Sequence, residues 1–70
     1  MKSRAKTLLN RLHTLQSAIY YYQSDLEEKA ESVKSELKKK KYLECAQLAG
    51  DSGFELDISQ VKMQNLIETL

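Results

Sequence analysis

Apolar residues recur through the first half of this chain in alternating steps of four and three. Leu8, Leu12, Leu15, Ile19, Tyr22, Leu26 and Val33 trace the seam, and Ala5 and Met1 extend it backward. This is the heptad pattern of helices that pack along a shared stripe. The seam has a fault at Lys29, where a core position is charged, and Ala30 and Leu37 stand one step to the side. No glycine or proline interrupts residues 1–49, and Ala, Leu, Lys, Glu and Gln, all strong helix formers, fill most of them.

Two readings of this half remain open. One is a single helix from about Ser3 to Leu37, roughly 50 Å long at ~1.5 Å per residue. The other bends near Ser24, because "SDLE" sets Ser24 three residues before Glu27 in the capping-box pattern. Either way the stripe is too long for one helix to bury alone.

Further on, Leu43, Ala46 and Ala49 make a short helical face, with Gly50 placed to end it and "GDSG" reading as a turn. Asp57 then suits an N-cap, with Gln60 at the reciprocal position and Leu56 and Val61 spaced as a hydrophobic staple. A short C-terminal helix is predicted from about Ile58, with Met63, Leu66, Ile67 and Leu70 on its apolar face. No strand pattern or internal repeat is present. The expected fold is all-α, a small helical bundle or coiled-coil hairpin forming one domain over residues 1–70.

Composition sharpens this picture. A chain of 70 residues buries a modest core and usually needs a staple or a partner. Cys45 is the only cysteine and His13 the only histidine, so neither an internal disulfide nor a Cys/His zinc site is expected, and no cofactor or metal. Oligomerisation is the remaining route. The pattern carries no signal peptide and no membrane-length apolar run. A lone cysteine suits a reducing compartment, which points to a cytoplasmic protein.

Charge is balanced overall, 11 basic against 10 acidic groups, but unevenly placed. Residues 1–41 hold ten basic and five acidic side chains, residues 42–70 one and five. Lys2, Arg4, Lys6 and Arg11 with the run Lys38, Lys39, Lys40 and Lys41 therefore define the alternative function, a small nucleic-acid-binding regulator. Basic groups without a reading element give only salt-sensitive affinity. "QLAGDSGFELDISQVKMQNL" has a helix-turn-helix flavour, yet its second helix offers only Lys62 among basic groups, and Asp51, Glu55 and Asp57 would meet phosphates with like charge.

Catalytic chemistry finds little footing. The carboxylates alternate with lysines at helical spacing, as solvated neighbours do. His13 flanks the seam, where an interface-edge residue is expected. Cys45 lies in "ECAQLA", which favours a buried structural thiol. No enzyme is expected.

The tyrosines Tyr20, Tyr21 and Tyr22 sweep about 200° of a helix surface. Tyr22 falls on the seam as core, which leaves Tyr20 and Tyr21 to contact a protein partner. The leading expectation is a non-enzymatic interaction module that self-associates through Leu8, Leu12, Leu15, Ile19, Tyr22 and Leu26.

"LAGDSGFELDISQV" also resembles the Nif11-like family of small helical domains and peptide-precursor leaders. Leu48, Ala49, Gly53, Phe54, Glu55 and Val61 carry the likeness, and "SDLEEK" is similar to the family's upstream helix start, so that residues 24–61 are covered. The resemblance implies a helical recognition module. No Gly-Gly or Gly-Ala site and no Cys/Ser/Thr-rich core follows, so it implies a free-standing member.

Overall fold

The computed structural model describes residues 1–70 as two helices, α1 (Lys2–Ser32) and α2 (Glu36–Thr69). They fold back on one another as an antiparallel hairpin about 53 Å long, 14 Å wide and 10 Å deep between Cα extremes. The all-α hairpin expected from the heptad pattern is what the chain forms. Its helix boundaries differ from the expected ones.

The chain does not bend near Ser24. Nothing there disrupts the backbone ladder, and Leu26 and Ala30, both buried, continue the seam past it. The reversal comes at Val33, Lys34 and Ser35 instead. Val33 ends α1 in an extended conformation, and Ser35 caps α2, its Oγ accepting from the Lys38 amide at 3.4 Å. Glu36 adds negative charge to that first turn, where the helix dipole favours it. Lysine stands three residues after Ser35, so the reciprocal half of a capping box is missing and the start is easy to overlook.

Gly50 does not end a helix, the "GDSG" turn does not form, and no separate helix begins near Ile58. α2 runs straight through all of them. Each helical glycine costs about 1 kcal/mol against alanine, and contact with α1 offsets it. The Gln23 side chain lies over Gly50 and the Tyr20 ring over Gly53, at positions where a β-carbon would collide with them. Asp57 and Gln60 serve the hairpin rather than a cap. The Gln16 amide donates to the Gly53 carbonyl at 2.9 Å and makes a longer contact of 3.5 Å to the Asp57 carboxylate. Gln60 donates to the Gln16 side-chain oxygen at 2.8 Å.

The packed seam is a heptad throughout. On α1 it comprises Ala5, Leu9, Leu12, Gln16, Ile19, Gln23, Leu26, Ala30 and then Val33, all buried or half-buried. On α2 it comprises Lys39, Tyr42, Ala46, Ala49, Gly53, Leu56, Gln60, Met63 and Ile67. Ala46, Ala49 and Gly53 make the middle of α2's share small, which lets the backbones approach there. The same smallness leaves a thin core: 7 of 70 residues are buried, and no large side chain is wholly enclosed.

Candidate interaction surface

The expected interface stripe is divided by the fold. Leu12, Ile19 and Leu26 turn into the intrachain seam. Leu8, Leu15 and Tyr22 stay 42%, 51% and 60% exposed. The reason is a shift of one residue. Leu12, Ile19 and Leu26 alternate with Leu9, Gln16, Gln23 and Ala30 in the actual seam, whereas the apolar reading pairs them with Leu8, Leu15 and Tyr22. Each of the latter is one residue earlier, hence about 100° around the helix. Lys29 belongs to this outward series, so the fault in the stripe is a charge in solvent.

The tyrosines change roles accordingly. Tyr22 is a flank residue rather than core. Tyr20 packs its ring on Gly53, and Tyr21 points outward at 76% exposure.

On α2 the matching flank holds Cys45, Ser52, Ser59 and Leu66, each one residue before a seam position. In an antiparallel pair these two flanks share one face of the hairpin. A shallow apolar groove on that face confirms it: Ile19, Tyr22 and Leu26 of α1 line it with Cys45, Leu48, Ala49 and Ser52 of α2. Small side chains on the α2 wall keep the groove open. Cys45 is thus exposed at a groove edge, not buried, because Ala46 takes the inward position beside it.

The opposite flank is more polar, with Lys6, His13, Tyr20 and Glu27 of α1 against Leu43, Gly50, Asp57 and Gln64 of α2. His13 lies exposed there, in a depression with Leu9, Asn10, Gln60, Val61 and Gln64. A separate outer patch on α2 consists of Phe54, Ile58 and Val61, all exposed.

The hairpin separates the basic groups. Lys2, Arg4, Lys6 and Arg11 sit at its open end, while Lys38, Lys39, Lys40 and Lys41 follow the connection at the other. One helix length, roughly 45 Å at ~1.5 Å per residue, divides them. The lysine run is also locally neutralised. Residues 24–44, which form the connected end, carry six lysines and six carboxylates. The open end keeps a positive excess, with only Asp57 and Glu68 opposing Lys2, Arg4, Lys6, Arg11 and Lys62.

No group of His, Cys, Asp and Glu side chains converges as a metal site would require, and neither helix is long and apolar enough to cross a membrane. No family model, curated protein or solved structure matches the chain. The residues of the Nif11-like resemblance, Leu48 to Val61, all lie within the uninterrupted α2.

Proposed function

We propose that this chain is a non-enzymatic helical interaction module of the cytoplasm that self-associates through an apolar face of its hairpin. The observation that carries this reading is the stripe Leu8, Leu15 and Tyr22, held outward at heptad spacing beside a seam that is already filled. Three large apolar side chains in register are a second packing surface, and a water-exposed face has no need of that spacing.

Surface area supports it. A compact monomer of 8.1 kDa is expected to expose about 4,500 Å², whereas this chain exposes 5638 Å². The excess of about 1,100 Å² is comparable to the ~800 Å² that each partner contributes to a standard protein interface. The Nif11-like resemblance, which implies a helical recognition module, points the same way. Tyr21, with Tyr20 beside it, remains available for a further protein partner.

Sedimentation equilibrium over a concentration series, with helicity followed by circular dichroism, tests the proposal. A reversible oligomer whose helicity falls on dilution is expected. A helical 8.1 kDa monomer at every concentration would overturn it.

A further inference from the structure

We infer that the occupant of the exposed face is a second copy of the chain, packed face to face in an antiparallel four-helix bundle with the twofold axis beside Leu15. The inference rests on the self-association proposed above and specifies its geometry.

Two independent midpoints fix the axis. On α1 the exposed stripe is symmetric about Leu15, with Leu8 and Tyr22 equally distant on either side. On the same face of α2 the large apolar residues are Leu48 and Leu66, and the residue midway between them is Asp57. The internal register of the hairpin sets these two midpoints side by side, since Gln16 contacts both Gly53 and Asp57 and is reached by Gln60. A single twofold axis across the rod at that level therefore pairs Leu8 with Tyr22 of the second copy, Leu15 with itself, and Leu48 with Leu66. A twofold-symmetric interface must be self-complementary in this way.

Shape agrees with the pairing. The groove at the level of Tyr22 and Leu48 meets Leu8 and Leu66 of the second copy, two large side chains from the end of the face that lacks such a groove. Near the axis, Ser52 and Ser59 leave room for the two Leu15 side chains.

Charge selects this arrangement over the other face-to-face twofold, whose axis runs along the rod. That alternative lays groove on groove, brings the two positive open ends together and sets Arg11 against Lys62. The crosswise axis places each positive open end on a neutral connected end. It also brings Arg4 beside Asp25 of the second copy, and Glu55 within a turn of Lys62. Opposite charges across an interface fix its register and orientation more than they add to affinity.

Disulfide trapping in a Cys45→Ser background tests the geometry. Leu8→Cys chains mixed with Tyr22→Cys chains and oxidised should give the mixed disulfide dimer at least ~10-fold above either chain alone, because bonding requires Cα atoms within about 7 Å. Leu15→Cys alone should crosslink to itself. Sedimentation of the same variants after reduction checks that they still associate. If they associate but neither disulfide exceeds that of Leu8→Cys alone, the geometry is overturned and self-association stands. If the native chain and the variants are monomeric throughout, both are overturned.

Discussion

The Tyr20 ring lies so close to Gly53 that a β-carbon added there would come within 2.5 Å of its Cε1 atom. Gly50, one turn earlier, faces only the flexible end of Gln23. The two glycines therefore respond oppositely to the same substitution. Gly50→Ala should stabilise by about 0.5–1 kcal/mol, because helix propensity improves and the Gln23 amide can swing aside. Gly53→Ala should destabilise by about 1–2 kcal/mol, since overpacking against an aromatic ring exceeds the propensity gain. Urea melts followed by circular dichroism at one fixed protein concentration measure both, and a stabilised Gly53→Ala chain would mean that Tyr20 packs elsewhere.

Gln16 is the one buried polar side chain, and it bridges the helices through Gly53 and Gln60. Gln16→Ala should cost about 1–3 kcal/mol, the usual effect of truncating a satisfied buried group and leaving its partners without it. Gln16→Leu should match or exceed the native stability while losing the single species, because a polar group at one core position specifies register. Sedimentation velocity of Gln16→Leu reads that outcome directly. One sharp boundary identical to the native chain's would remove the register role.

Leu12 and Leu15 look equivalent in the sequence and are not so in the fold. Leu12→Asp puts a charge into the intrachain seam and should abolish helicity at any concentration, at a cost of several kcal/mol. Leu15→Asp acts on the outward stripe. It should dissociate the oligomer and leave a helical signal that no longer depends on concentration, reduced because the thin hairpin core stands alone. A native oligomer unaffected by Leu15→Asp would exclude this face as the interface.

Binding to duplex DNA should be weak and unspecific. The positive excess is confined to the open end, so only about four phosphates are within reach of one chain. A slope near −0.9 per phosphate then predicts a fall of roughly 100-fold between 50 and 200 mM salt. Fluorescence anisotropy with a labelled duplex gives the slope, and tight binding that survives 200 mM salt would favour the nucleic-acid reading instead.

The helical class, the heptad spacing and the membership of Leu12, Ile19, Leu26 and Ala5 in a seam were all legible from apolar periodicity. The register of the seam was not, and its polar members are the main reason. Gln16, Gln23, Gly53 and Gln60 are polar or lack a side chain, so a search for apolar residues passes over them and settles on Leu8, Leu15 and Tyr22 one step away. The glycines misled in the same direction, reading as a stop where they admit a ring and an amide from the facing helix. The signal that could have corrected this was Lys29. A charge in the middle of an otherwise regular stripe marks that stripe as the outer one. Leu8, Leu15 and Tyr22 remain large apolar residues in register, and the fold changes what they are available to meet.

The connection of three residues, Val33, Lys34 and Ser35, sets the order in which the hairpin closes. Joining the helix ends through so short a loop involves little chain entropy, so pairing of Ala30 with Tyr42 can nucleate and zip outward. The Gln16, Gly53 and Gln60 contacts lie midway along that path, where a register slip would be halted before the second half forms. Ala5 and Ile67, more than sixty residues apart in sequence, close last and open first. Amide exchange should therefore grade along the rod, slowest in the paired turns next to the connection and fastest at the open end, which is also the end that carries the unbalanced positive charge.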